Sequence, residues 1–159
     1  MKQLKLNPDF LRRHLAVCIL MFGIGCWFGY DGLVTYPKTP AAELYEQIEK
    51  SKPKEGFPLE AFKKQKIQSQ YGFMALCFLA SVLIGLNIAS AARFRFEWDE
   101  SSFVWNGKKR PISDVKSVNR TQWKKKGIIK LELVDGDRVV LDAWHHAGVK
   151  EFVPLLPSS

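Results

Sequence analysis

Two long apolar stretches separated by a charged loop constrain this chain more than any other feature. The first runs from Leu15 to Tyr30 without a charged residue and continues past Asp31 to Tyr36; the second runs from Tyr71 to Ala92 with no charge at all. About 20 apolar residues span a hydrocarbon core, and inside it only a helix or a closed barrel satisfies its own backbone. The pattern predicts a membrane protein with a two-helix transmembrane hairpin. The parts are a cytoplasmic segment over 1–14, helices over 15–36 and 71–92, an extracytoplasmic helical loop over 37–70 and a cytoplasmic domain over 93–159.

Orientation follows lysine and arginine near the span ends. Residues 1–14 carry Lys2, Lys5, Arg12 and Arg13 against the single acid Asp9, and Arg93 and Arg95 open a domain with 13 basic and 9 acidic residues. The 37–70 loop sets seven lysines against five glutamates and holds no arginine. These flanks place both termini in the cytoplasm, while Lys63, Lys64 and Lys66, just before the second span, argue the other way. Cys18, Cys26 and Cys77 all fall in the apolar stretches, with neither metal-ligand spacing nor a disulfide framework, and read as small packing residues. Gly23-Ile24-Gly25-Cys26 lacks the leucine of a lipobox, and no small-x-small site follows for a cleaved signal.

Pro8 and Asp9 suit the first turn of the first helix, and Gly29 and Gly32 should loosen or end it. Gly25 and Gly29 form a GxxxG pair, and Cys77, Ser81, Gly85 and Ala89 recur every four residues along the second span. Small side chains let helix backbones approach closely, so the spans should pack as a hairpin or pair between copies. In the loop, Thr39 is the expected cap of a helix through Ile48 with Pro40 at its first position. A second helix should begin near Pro58 and run on into the second span.

From Phe94 the period becomes two. Phe94, Phe96 and Trp98 alternate with charged residues, as in a half-buried strand. Ser102–Trp105 is a further strand that ends at Asn106-Gly107, a strong hairpin turn. Val115–Arg120 follows, then a hairpin of 128–134 and 138–141 across Asp135-Gly136-Asp137. Val149, Phe152, Val153 and Leu156 recur at helical spacing, with Pro154 ending or kinking that helix. This is a small β-rich α+β domain.

The stretch Lys126-Gly127-Ile128-Ile129-Lys130-Leu131-Glu132-Leu133 through Leu141-Asp142-Ala143-Trp144 and Val149-Lys150-Glu151-Phe152 resembles the late hairpin and closing helix of bacterial pleckstrin-homology-like (PH-like) domains. Ile112–Val118 is similar to that family's middle strands. The resemblance covers residues 94–156 and implies a partial PH-like barrel capped by a C-terminal helix. It also implies residence in a bacterial inner membrane and a role in binding partners, peptides or lipid rather than in catalysis.

Two basic groups stand out: Lys108, Lys109 and Arg110, and then Arg120 with Trp123, Lys124, Lys125 and Lys126. With Arg93 and Arg95 almost directly on the span, these groups read as a lipid-facing patch, each cation gaining about 1 kcal/mol near anionic lipid. The alternative is two solvated loop tips. Nucleic acid is not an expected partner, because the charge lies where the membrane already is. His145-His146 lacks the third ligand that a zinc site needs, so a structural role is expected and no metal or other cofactor is. Asp31 and Asn87 fall near opposite membrane boundaries and make no proton path. No catalytic constellation is present. The expected function is a non-enzymatic, membrane-anchored binding or scaffold protein whose partners are the bilayer, anionic lipid or a protein. Alternatives are an accessory subunit that uses the hairpin to join a membrane complex or a homo-oligomer, and a metal-dependent enzyme using His145 and His146.

Overall fold

The computed structural model describes residues 1–157. They cluster into two compact units: one spans His14–Leu86, and the other joins Met1–Arg13 to the residues from Asn87 onward.

The first unit is helical. Helix α1 (Pro8–Tyr30) passes into a π-helical stretch over Asp31–Thr35 and a closing turn, α2 (Tyr36–Lys38). Gly29 and Gly32 therefore loosen the helix without ending it. Helix α3 (Ala41–Glu49) follows, and α4 (Leu59–Arg93) runs unbroken for 35 residues, about 52 Å at 1.5 Å per residue. Thr39 does not cap α3. Its Oγ1 donates back to the carbonyl of Thr35 at 2.8 Å, and Pro40 takes the cap position without a side-chain bond. Lys63 Nζ donates to the carbonyls of Pro37 (2.9 Å) and Thr39 (2.8 Å), satisfying acceptors that the end of α2 leaves open. Leu44 is buried, and the Tyr45 ring packs against Phe57 and Phe62 at 4.8 and 5.0 Å.

Within this unit α1 and α4 pack along small residues. Gly25, Gly29 and Gly32 are buried. A Cβ on Gly25 would lie 2.7 Å from the Phe78 ring and 3.3 Å from Cys77 Cβ, one on Gly29 3.0 Å from Met74 Sδ, and one on Gly32 3.0 Å from Gln70 Cβ. Ser81 Oγ donates to the carbonyl of Cys18 at 3.2 Å. Large apolar side chains point the other way, with Ile19 63%, Leu76 63% and Leu86 61% exposed. Both long helices have the length and composition to cross a membrane.

The second unit is sheet-rich. Its strands are β1 (Lys2–Gln3), β2 (Lys5–Leu6), β3 (Phe96–Trp98), β4 (Ser102–Trp105), β5 (Lys108–Pro111), β6 (Val115–Asn119), β7 (Ile128–Leu133), β8 (Arg138–Asp142) and β9 (His146–Ala147). They form antiparallel sheets ordered β1-β3-β4-β5, β2-β9 and β6-β7-β8. Asn106 and Gly107 both have positive φ, 50° and 73°, as a type I′ hairpin turn requires. The core gathers Phe96, Trp98 and Phe103 from the first sheet, Ile129, Leu131, Val139 and Leu141 from the third, and Val149 and Phe152 from the single-turn α6 (Val149–Phe152). The Phe152 ring meets Phe96 edge-on at 5.0 Å. A 3₁₀ turn over Val153–Leu155 carries Pro154, so the expected C-terminal helix is two short turns.

One expectation is corrected here. The N-terminal residues are not a separate segment: β1 pairs with β3, β2 pairs with β9, and Leu4 is a core residue at 4% exposure. Gly148 permits this, because at φ 100° a Cβ there would lie 2.9 Å from Trp98 and 3.3 Å from Leu4. The two basic runs fall in short regular elements beside turns. Lys108–Arg110 lies in β5, and Lys124–Lys126 belongs to the one-turn helix α5 (Trp123–Lys126).

Candidate functional site

The candidate functional surface is the end of the sheet-rich unit where β2 meets the start of α1 and the end of α4 meets β3. Leu6 closes β2 and Pro8 opens α1; Arg93 closes α4 and Phe96 opens β3. Asn7, between β2 and α1, is fixed at both its groups. Its backbone N–H donates to the carbonyl of His145 (2.8 Å), and its Nδ2 donates to that of Trp144 (3.0 Å). Phe10, fully buried, meets the His145 ring edge-on at 4.5 Å. On the other helix, His146 Nε2 lies 3.0 Å from the carbonyl of Ala91. A carbonyl can only accept, so this nitrogen carries the hydrogen and closes one of the open acceptors at the end of α4. Hydrogen bonds within this unit thus tie the start of α1 and the end of α4 to residues 144–146.

Strand register shows what else lies at this end. Phe96 opposes Trp105, which opposes Lys108, so the Asn106-Gly107 turn and Lys108 share the end of the sheet where Arg95 enters. Ile128 opposes Asp142, and the N–H of Ala143 donates to the carbonyl of Gly127 (3.0 Å), the residue that caps α5. Gly127, directly after the lysines of α5, thus faces Ala143, the residue before Trp144. The Arg13 guanidinium lies 5.5 Å over the indole of Trp144, which is 41% exposed.

Of the residues expected to face lipid, Arg93, Arg95, Lys108, Lys109, Lys124, Lys125 and Lys126 are exposed. Trp123 is not free to do so; it is half-buried and packs against the core. Arg110 is removed from the patch. It is 8% exposed and bonds Asp135 through Nη1 and Asp137 through Nη2 (2.9 Å), tying β5 to the β7–β8 turn. The Arg110 hydrogen bond, followed by the backbone N–H of Asp137, holds the Asp135 carboxyl below its usual range, and Asp135 raises the Arg110 guanidinium. Asp99 is pulled down to about 2 by the backbone N–H of Ser101 and the hydroxyl of Ser102. Arg120 reaches the carbonyls of Leu156 and Pro157 at 3.4 and 3.3 Å, so it holds the C-terminal turn.

The histidines serve the junction. His145 Nδ1 lies 2.9 Å from Asp142 Oδ2, and among the described residues no group of three or more His, Cys, Asp or Glu side chains is placed to hold a metal ion. Of the expected packing residues, Gly25, Gly29, Cys77 and Ser81 lie in the contact between α1 and α4, while Gly85 has nothing within 4 Å of a Cβ position. Ala89 lies in the part of α4 that belongs to the sheet-rich unit. Sequence reasoning missed Trp144 and Arg13 as a pair. Their only signal was an aromatic next to the two histidines and an arginine next to the apolar stretch. Comparison with protein-family models, with curated proteins and with solved structures finds no match for this chain.

Proposed function

We propose that this chain is a non-enzymatic scaffold of the bacterial inner membrane, anchored by α1 and α4, whose PH-like unit is held against the cytoplasmic leaflet to bind lipid headgroups or a protein partner. One observation carries the reading: the strands before α1 pair with strands after α4. Two crossings return the chain to its starting side, which this pairing requires, and a single crossing would separate the paired strands. Arg12 and Arg13 stand just before Leu15, and Arg93 directly follows Ala92, so the flanks of both helices on that side are cationic, as cytoplasmic flanks are. Two of the three loop lysines that argued otherwise are engaged locally. Lys63 closes helix carbonyls and Lys66 lies 3.7 Å from Glu49.

The test is labelling of single cysteines with a membrane-impermeant thiol reagent in intact cells, after Cys18, Cys26 and Cys77 are changed to Ala. A cysteine at Ser51 should react from outside and one at Lys150 only after lysis; reaction at Lys150 in intact cells overturns the topology. A second reading, an accessory subunit that docks another helix, is favoured by the open space at Gly72 and Gly85 on α4. Purification in mild detergent with a stoichiometric membrane partner would support it.

A further inference from the structure

We propose that Trp144 is the interfacial anchor of the sheet-rich unit and that, with Arg13 and the α5 lysines 124–126, it binds the phosphate-bearing headgroups of anionic phospholipid. This rests on the membrane reading above and adds the residues and the ligand chemistry. Trp144 is clamped on both sides of its side chain: its N–H donates to Asp142 Oδ1 at 2.8 Å and its carbonyl accepts from Asn7 Nδ2 at 3.0 Å. The indole is thus presented by a fixed backbone, and a solitary apolar residue on a free loop would not be. Arg13 covers one face of it. Arg13 also stands two residues before Leu15, where the charge-free stretch begins, so the pair lies at headgroup depth if α1 spans. Trp at that depth keeps its ring among the acyl–headgroup boundary and its N–H in the polar layer.

The charge around it favours an anion. Arg12 is neutralised by Asp9 at 2.6 Å, and Asp142 is occupied by Trp144 and His145. Arg13 and the three exposed lysines that lead into Gly127, opposite Ala143, are therefore open cations, alongside the exposed Arg93, Arg95 and Lys108. A lone aromatic–arginine stack satisfies solvent equally well, but these open cations and a clamped indole at one helix-exit level match a headgroup layer. A free phosphate has no use for the indole, so the membrane surface is the occupant.

The test uses the full chain in lipid nanodiscs, in neutral phosphatidylcholine and with added phosphatidylglycerol. With a nitroxide on the headgroup, Trp144→Phe should lose a quenched component of the tryptophan emission that the unchanged protein shows. By native mass spectrometry the unchanged protein should retain phosphatidylglycerol over phosphatidylcholine, and Arg13→Gln should reduce that preference about fivefold. Changing Lys124, Lys125 and Lys126 to Gln should reduce it further, and exposed lysines report without risk to the fold. Equal headgroup quenching in Trp144→Phe, or an unchanged lipid preference in both charge variants, overturns the proposal. So does displacement of the retained lipid by millimolar inorganic phosphate, which would assign the cations to a soluble anion. A co-purifying protein that covers this surface and shields Trp144 from the label overturns it too. Failure of the chain to enter nanodiscs at all would instead overturn the membrane reading.

Discussion

The Arg110 guanidinium links strand β5 to the β7–β8 turn through two carboxylates. Arg110→Ala leaves Asp135 and Asp137 facing each other without a cation and should lower the unfolding temperature. Lys109→Ala, on the exposed neighbour, should change stability by no more than about 0.5 kcal/mol. Both are read by thermal unfolding of the full chain in detergent. A second expectation concerns acid. The folded-state Asp99 carboxyl, at about 2, lies below the unfolded value of about 3.9. Its ionised form is thus favoured by folding. The stabilisation is complete above the unfolded value and is lost as the pH falls through the folded one. Asp135 acts in the same direction. Stability should decline between about pH 4 and about pH 2, and Asp99→Asn should flatten that decline; an unchanged slope in the variant would refute this. The burial of Arg110 was partly legible. The Asn106-Gly107 turn sets the pairing that puts Arg110 opposite the buried Phe103, and the Asp-Gly-Asp turn offers partners. Reading three basic residues as one run hid the alternation. The fixing of Trp144 was not legible, because Asn7 lies 137 positions away and nothing local announces the bond.

At the scale of elements, the GxxxG pair on α1 was a sound signal and the four-residue stripe on α4 was a partial one. Helix contact needs small residues only where backbones approach, and that approach occurs at Gly25, Gly29 and Gly32. Gly85 shares the period of the stripe and meets no neighbour. Gly25→Leu therefore has to displace the Phe78 ring and should destabilise the helix pair by about 1–3 kcal/mol, the usual cost of overpacking. Gly85→Leu should change it by less than about 0.5 kcal/mol. Unfolding in mild detergent titrated with a denaturing one measures both, and equal effects would refute this contact face. The smooth run of α4 from Leu59 through Arg93 was legible, since no proline lies between them and the glycines Gly72 and Gly85 are isolated. The role of Thr39 was not. A threonine before Pro40 fits either a cap for α3 or a closing bond to the preceding turn, and the π-helical stretch over Asp31–Thr35 brings the Thr35 carbonyl within 2.8 Å.

At the scale of the whole chain, the two ends meet in one compact unit, with Met1–Arg13 folded together with the residues from Asn87 onward. The sequence could not reveal this, because two-residue strands have no period and β1 and β2 are mostly exposed. Only the single buried side chain, Leu4, marks them. The consequence is that residues 94–159 alone are an incomplete domain. They lack the strand that covers the edge of β3, the strand that pairs with β9 and the Leu4 contact with Gly148. Removing a buried leucine side chain costs about 2–5 kcal/mol. A domain of roughly 70 residues has about 4–10 kcal/mol in all, so the missing leucine alone consumes a large share, before the uncovered edge is counted. Residues 94–159 expressed alone should then show no cooperative urea transition. The same residues preceded by residues 1–7 through a flexible Gly/Ser linker should unfold cooperatively, and Leu4→Ala in that fused chain should reduce its midpoint sharply. A cooperative transition of equal midpoint in residues 94–159 alone would mean that the N-terminal strands decorate a domain already complete, and the requirement that they lie on its side of the membrane would fall with it.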